Sequence, residues 1–325
     1  MKLPRRKFIH LAAAAAALPV LPRAACALDY PTRPVRIVVG FAPGSTTDIL
    51  ARLIGQWLSQ RLGQSFVIDN RPGAGGSVGT EAAVNSAADG YTLLMVAPAN
   101  TINMSLYDKL NFNFMHDMVP VAGVVRVPNV LEVNPSLPVK TVPEFIAYAK
   151  SRPGTLSFAS AGIGTTSHMA GVLFNAMAGV DLVPVHYRGD GPAMIDLIGG
   201  QVQVGFATMV ASIAYIRAEK LRPLAVTTAA RSAALPDLPT VSDFVPGYEA
   251  SSAFGVAAPK DTPAPVVEIL NKAINAGIAD PVIATRFADL GGMALTGSPA
   301  DYGKFLANDV NKWGKVIRAA NIKPE

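Results

Sequence analysis

The sequence contains little cysteine and little charge. Cys26 is the one cysteine in 325 residues, which excludes a disulfide framework and a metal site built from several thiolates. Charged residues make up only 16% of the chain, while half of it is hydrophobic, and this balance excludes a disordered protein. Beyond the N-terminus no stretch of 18 uninterrupted apolar residues occurs, so we expect a soluble, exported protein. The length predicts two domains.

The first 27 residues predict a secretory signal peptide. Basic residues precede an alanine-rich apolar stretch that is too short to span a bilayer, and the small residues Ala25 and Ala27 follow. The pair Arg5-Arg6 resembles the twin-arginine export motif. Cleavage after Ala27 removes five basic residues and no acid, so the formal charge falls from +5 to zero. We therefore expect a mature surface without an electrostatic footprint for nucleic acid or for an anionic membrane.

Cys26 has two interpretations at this stage. It is either a lipidation site or a residue that leaves with the signal peptide. The residues before it, Arg23-Ala24-Ala25, lack the aliphatic residue that a lipobox carries at its first position. The sequence therefore favours removal with the signal, after which the mature protein has no thiol.

Short β-branched segments alternate with amphipathic helical patterns along the mature chain, which predicts an α/β fold with mainly parallel sheets. Two extended apolar segments, 125–133 and 250–257, flank a self-sufficient α/β block. They predict two crossover strands that join two lobes around a hinged cleft. The predicted first lobe comprises residues 28–126 and 254–325, and the second lobe comprises residues 127–253.

Three loops between a strand and a helix carry the candidate chemistry: residues 41–48, 160–168 and 187–192. The first two are rich in glycine, serine and threonine, and free backbone N–H groups at a helix N-terminus bind anions. Such loops also occur as ordinary helix caps. Two of them facing one cleft predict an anion site. Arg188 in the third loop has two candidate partners, a ligand carboxylate or Asp190, and Arg71 could likewise pair with a ligand or with a structural acid.

The residues offer little for catalysis or for a cofactor. The mature chain has three histidines, His116, His168 and His186, and lacks the metalloprotease and nucleophile-elbow motifs. Neither glycine-rich stretch completes a nucleotide-binding fingerprint, and the acids are scattered, so we expect no cofactor and no metal. A hydrolase that pairs Ser45 or Ser167 with His168 remains the alternative from another class.

Several motifs in this order resemble the Bug-type extracytoplasmic solute receptors of tripartite tricarboxylate transport systems. The resemblance covers nearly all of the mature chain and includes Asn70-Arg71-Pro72-Gly73-Ala74-Gly75-Gly76, Ala88-Asp89-Gly90-Tyr91-Thr92, Tyr187-Arg188-Gly189, Asp196-Leu197-Ile198-Gly199-Gly200-Gln201 and Leu235-Pro236-Asp237-Leu238-Pro239-Thr240.

The resemblance implies a two-lobed periplasmic-binding-protein (Venus-flytrap) fold that binds a small mono- or dicarboxylate through backbone amides and hydroxyls. It implies a periplasmic, monomeric receptor that works with membrane permease subunits and is not an enzyme; a receptor that feeds a membrane sensor is a further alternative. The ligand-binding residues that it implies are Ala42, Pro43, Gly44, Ser45, Thr46, Thr47, Asp48, Ala97, Asn100, Ala161, Gly162, Gly164, Thr165, Thr166, His168, Thr208 and Phe254.

Two positions depart from the family pattern. Many members have a second glycine where this chain has Ser45, and many carry tryptophan near Ala253-Phe254. The additional hydroxyl of Ser45 and the smaller side chains at positions 253 and 254 leave the identity of the ligand open.

Overall fold

The computed structural model describes residues 29–319 and 322–323. The predicted signal peptide, its cleavage site and Cys26 lie outside the described residues. Within the described part of the chain, no helix combines the length and the apolar character that crossing a membrane requires.

The N-terminal half of the fold is a set of strand–helix units. Strand β1 (Val35–Val39) is buried because its residues are almost all β-branched and apolar. The following helix α1 (Thr46–Leu62) begins after Ser45, whose hydroxyl accepts from the Asp48 N–H, and ends at Gly63 with a left-handed φ of 73°. The elements that follow in this region are β2 (Phe66–Asn70), α2 (Ser77–Val84), β3 (Thr92–Val96), α3 (Pro98–Leu106) and α4 (Phe114–Asp117).

The middle of the chain repeats this organisation. A long strand, β4 (Met118–Val133), leads into helix α5 (Val142–Lys150), which starts with Thr141 as its N-cap. The elements after it are β5 (Leu156–Ser160), α6 (Thr166–Ala178), β6 (Leu182–His186), α7 (Asp190–Gly199), β7 (Val204–Thr208), α8 (Met209–Arg217) and β8 (Arg222–Val226). The chain then returns through β9 (Ser251–Pro259) to α9 (Ala264–Ala279), α10 (Pro281–Asp289), β10 (Met293–Ala294) and α11 (Pro299–Ala319).

Two long strands connect the two groups of units. The strand order is β2-β1-β3-β9-β4-β7-β5-β6, with β8 and β10 also paired to β4. The outer strands pair in parallel, as expected, whereas β9 and β4 run antiparallel to their neighbours. Strand β4 pairs with β9 as far as Pro128 and with β7 from Asn129 onward, so it passes from the first lobe into the second. The boundaries at 126/127 and 253/254 stay predictions.

The described residues form four buried apolar clusters, and the C-terminal helix contributes to two of them. In the first lobe Tyr302 and Leu306 of α11 pack with Val38 of β1. Two helical turns after Leu306, Trp313 of the same helix belongs to the cluster that holds Phe206 of the second lobe. Helix α11 therefore contacts both lobes along its length.

Helix α3 is the main element that the sequence patterns did not predict. Four of its nine residues, PANTINMSL, are polar, so the sequence shows no continuous apolar face at helical spacing. Pro98 at its first position and the Asn100 side chain, which accepts from the Ala97 N–H at 2.7 Å, start it instead.

A glutamate is fully buried inside the second lobe. Glu132 lies on β4 with an exposed fraction of 0%, and one carboxyl oxygen accepts from the Ser212 hydroxyl at 2.7 Å. The other oxygen has no hydrogen-bond partner among the described residues. Burial raises the pKa of Glu132 to about 8, so the native protein holds this carboxyl in its neutral form at pH 7.

Glu132→Gln should remove a pH dependence of stability. Between the usual glutamate pKa of 4.5 and the raised value of about 8, the unfolded chain ionises while the native carboxyl stays protonated. The wild-type free energy of unfolding should therefore fall as the pH rises, with a contribution from Glu132 of roughly 1.4 kcal/mol per pH unit. Urea unfolding at pH 5 and pH 8 measures this difference.

The control is Glu268→Gln, which neutralises an exposed glutamate on α9. It should keep the wild-type slope. An equal pH slope in Glu132→Gln and in the wild type would show that Glu132 ionises normally in the native state.

Candidate functional site

A small cavity lies between the two lobes. The space between its lining residues is about 340 Å³, a volume that includes open solvent. Residues of both predicted lobes line it, together with Phe254 of β9. The lining residues are Phe41, Thr46, Thr47, Ala97, Pro98, Ala99, Ala161, Thr165, Thr166, Ser167, Asp190, Thr208 and Phe254.

Helix N-termini form most of the wall. Of the helices that the structure describes, five begin at this cavity: α1, α3, α6, α7 and α8. Each follows directly on a strand or on a short loop after it, so its first turn lies at the carboxyl end of that strand. Because a helix N-terminus carries a partial positive charge and unpaired N–H groups, the cavity is electropositive without a cationic side chain. Among the described residues, no lysine or arginine lines it.

Several backbone donors at the cavity are available to a ligand. The N–H groups of Thr47, Thr166 and Ser167 belong to first helical turns and make no hydrogen bond with any residue that the structure describes. The Thr46 N–H is already occupied, since it donates to Asp190 Oδ2 at 3.1 Å. The free donors come from both lobes, so one anion between them would contact both.

Direct contacts already join the lobes around the cavity. The hydroxyls of Thr46 and Thr208 lie 2.5 Å apart, and the Thr46 N–H bonds to Asp190 across the same gap. At the side of the cavity, the Cα of Gly164 approaches the side chain of Asn103 so closely that a Cβ at position 164 would overlap Asn103 Oδ1. The structure is therefore a closed state of the cleft.

Asp48 holds the first-lobe loop in place. Its carboxylate accepts from the Gly44 N–H at 3.0 Å, from Asn70 Nδ2 at 2.9 Å, and from Nε and Nη2 of Arg52 at 2.9 and 2.8 Å. Burial alone would favour the neutral acid, but these hydrogen bonds outweigh it and hold the pKa of Asp48 below its usual value. Asp48 thus stabilises the turn without occupying the backbone N–H groups of Thr46 and Thr47.

The second-lobe loop is held by its own hydroxyls and by His168. The Ser167 hydroxyl accepts from the Ala161 N–H at 2.9 Å and also contacts the Thr165 hydroxyl at 2.9 Å. His168 Nδ1 accepts from the Gly164 N–H at 3.3 Å. Burial, and then the neighbouring His186, lower the pKa of His168 to about 4, so this imidazole is neutral at pH 7. His168 therefore positions the loop and carries no charge into the site.

Asp190 is the single acidic residue among the described residues that line the cavity. It is the first residue of α7 and is 7% exposed. Burial raises the pKa of Asp190, although its hydrogen bonds with Thr46 act in the opposite direction. Burial therefore favours the neutral form of this carboxyl group, whereas a cation held against it would favour the ionised form.

Eight of the seventeen predicted ligand-binding residues lie on the cavity wall. They are Thr46, Thr47, Ala97, Ala161, Thr165, Thr166, Thr208 and Phe254. The structure does not bring the other nine to the wall; several of them build the loops behind it, as Asp48 and His168 do. These nine are Ala42, Pro43, Gly44, Ser45, Asp48, Asn100, Gly162, Gly164 and His168.

Five lining residues escaped the sequence analysis as ligand contacts. They are Phe41, Pro98, Ala99, Ser167 and Asp190. Pro98 and Ala99 were missed with helix α3, and Pro98 at the first position of a helix was the available signal. The sequence suggests Ser167 only as a hydrolase nucleophile and Asp190 only as a partner of Arg188.

The arginines considered as ligand partners lie outside this cavity. Arg71 pairs with Asp69 at 2.8 Å. Arg188 lines a second, more open pocket next to the glycine-rich loop 73–76, and within the described chain it forms no ion pair shorter than 4 Å. Asp190 bonds to Thr46 instead of Arg188.

Comparison with known proteins identifies relatives of this chain. Residues 50–322 match the family described as tripartite tricarboxylate transporter family receptor. The chain is 36% identical to protein BugT of Bordetella pertussis over 318 residues. This alignment covers 97% of this chain and 96% of BugT.

Solved structures show the same fold. Rpa4515 of R. palustris, solved with adipate, is 39% identical with a TM-score of 0.89 and covers 91% of this chain and 100% of its own. MatC of Rhodopseudomonas palustris, with bound malate, is 31% identical with a TM-score of 0.85 and covers 89% of this chain and 100% of its own. The periplasmic binding protein BugD is 33% identical with a TM-score of 0.88 and covers 91% of this chain and 100% of its own. The chain has the two-lobed α/β fold of periplasmic binding proteins.

Gly164→Ala should prevent full closure of the cleft, because the added Cβ would overlap Asn103 across the lobe boundary. Gly44→Ala is a matched control: Gly44 has a similar left-handed φ, 79° against 74°, and open space around its Cβ position. Both variants should lose about 1–2 kcal/mol from backbone strain. Only Gly164→Ala should show a larger radius of gyration by small-angle X-ray scattering. Identical scattering from the two variants would contradict the role of Gly164 in closure.

Proposed function

The chain belongs to the tripartite tricarboxylate transporter receptor family, and on that premise we propose that it captures a small carboxylate or related organic anion between its two lobes. The family and the structural neighbours are solute-binding receptors and not enzymes. The hydrolase alternative is therefore wrong for this chain.

The observation that carries the proposal is the convergence of five helix N-termini on one closed cavity. A helix N-terminus stabilises an anion by about 0.3–2 kcal/mol. A hydrogen bond to a charged group contributes roughly 1.5–3 kcal/mol. The free N–H groups of Thr47, Thr166 and Ser167 and the surrounding hydroxyls thus supply the favourable free energy that offsets the cost of association.

The lining of the cavity and the ligands of its relatives support a small carboxylate ligand. Rpa4515 was solved with adipate and MatC with malate, both small carboxylates. The wall here combines hydroxyls and backbone donors with the rings of Phe41 and Phe254. Such a wall holds one carboxylate by its donors and a short apolar chain by its rings.

Closure couples binding to transport in this proposal. A ligand that accepts from Thr47 of the first lobe and from Thr166 of the second binds the closed state better than the open one, so it shifts the population toward closure. The receptor is periplasmic after export and passes its ligand to membrane permease subunits of a tripartite tricarboxylate-type transporter. Reversible hydrogen bonds suit such a transfer, since release breaks no covalent bond.

A thermal-shift screen of the mature protein, refolded to remove any ligand, tests the function. The panel contains mono-, di- and tricarboxylates, amino acids, aromatic acids and uncharged amides. Binding to the native state alone stabilises it by about 2.7 kcal/mol at a hundredfold excess over Kd. We expect a rise in melting temperature with one class of carboxylate. A rise only with the uncharged amides would contradict an anion receptor.

Ala99→Asp should abolish carboxylate binding. Ala99 lies in the first turn of α3 on the cavity wall, so an aspartate there adds a negative charge beside the ligand. Ala264→Asp is the matched control, because Ala264 starts α9, is exposed and lies outside the cavity. Isothermal titration should show at least a tenfold loss in Ala99→Asp and an unchanged affinity in Ala264→Asp. Equal affinities would place the ligand outside this cavity.

A further inference from the structure

The cavity wall presents both backbone N–H donors and a carboxyl group. Thr47, Thr166 and Ser167 present free N–H donors, while Asp190 presents a carboxylate to the same small space. The wall therefore combines donors for a negative group with a carboxyl group whose ionised form attracts a positive group and repels a negative one. A ligand that complements both poles needs two different polar ends.

Asp190 has no cationic partner in the described part of the chain. Its hydrogen bonds come from the neutral backbone and side chain of Thr46. No lysine or arginine lines the cavity, and no ion pair within 4 Å includes Asp190. A buried carboxylate without a counter-charge is costly, and a cation brought by a ligand would offset that cost.

Asp190 also occupies a donor that a ligand would otherwise use. The Thr46 N–H belongs to the first turn of α1, beside the free Thr47 N–H, and the carboxylate of Asp190 accepts from it across the lobe boundary. A second ligand carboxylate near this position would meet a like charge and would lack this donor. Like charges at short distance in a buried site repel strongly.

We propose that Asp190 is the specificity-determining residue of the cleft, and that it selects ligands that carry an ammonium group together with their carboxylate over ligands that carry a second carboxylate in its place. This inference rests on the proposed function. The carboxylate binds to the free N–H donors of Thr47, Thr166 and Ser167, and the ammonium donates to Asp190.

Isothermal titration with matched ligand pairs tests the inference. In the first group an ammonium replaces one carboxylate: succinate with β-alanine, and adipate with 5-aminopentanoate. In the second group an ammonium replaces a hydrogen: propionate with alanine, and adipate with 2-aminoadipate. The wild type should bind the ammonium member at least tenfold more tightly in at least one pair.

Asp190→Asn should remove that preference. Asparagine keeps an oxygen that accepts from the Thr46 N–H but removes the charge, so the ammonium ligand should lose about tenfold in affinity and its dicarboxylate partner should gain. Asp190→Ser removes the same charge with a shorter side chain and serves as a second variant. Asp196→Asn is the control, since Asp196 lies on the same helix but bonds to the Tyr187 hydroxyl outside the cavity.

The possible outcomes separate the two proposals. Carboxylate binding without a preference for the ammonium members, or a preference that persists in Asp190→Asn and Asp190→Ser, would overturn the role of Asp190 and leave the receptor function standing. Absence of binding by every carboxylate in these pairs and in the thermal-shift panel would overturn the proposed function and this inference with it.

Discussion

The site depends on one geometric constraint: a helix that follows a parallel strand begins at the carboxyl end of that strand. Each lobe therefore collects its helix N-termini along one edge of its sheet. The crossing strand β4 places the two edges opposite each other, and the N-termini of α1 and α6 meet across the gap. The electropositive cavity is a consequence of topology and not of basic side chains.

This construction explains how a chain with so little charge forms an anion site. A lysine or arginine at the cleft would bind an anion in the open state as well, whereas backbone donors from two lobes act together only after closure. Close approach of the lobes requires small residues at the boundary, and Gly164 against Asn103 is the tightest example. Asp48, fixed by Arg52 and Asn70, keeps the first loop in the conformation that closure needs.

Buried titratable groups in the second lobe show the effect of the same low-polarity environment. Burial keeps Glu132 protonated and His168 neutral, so neither adds charge near the cleft at pH 7. Asp190 differs from them because it faces the cavity, where a ligand supplies or withholds a counter-charge. The cavity thus leaves one acidic group for the ligand to complement.

The sequence by itself determined the alternation of strands and helices, the two crossing segments and the hydroxyl-rich loops, because these depend on local patterns of hydrophobicity, glycine and capping residues. It also placed Thr46, Thr47, Thr165 and Thr166 at helix starts. Only the tertiary structure decided which residues face the cavity. Asp190 is an ordinary first-turn acid until closure brings it to Thr46, 144 positions away in the chain, and no local pattern encodes a contact between two lobes.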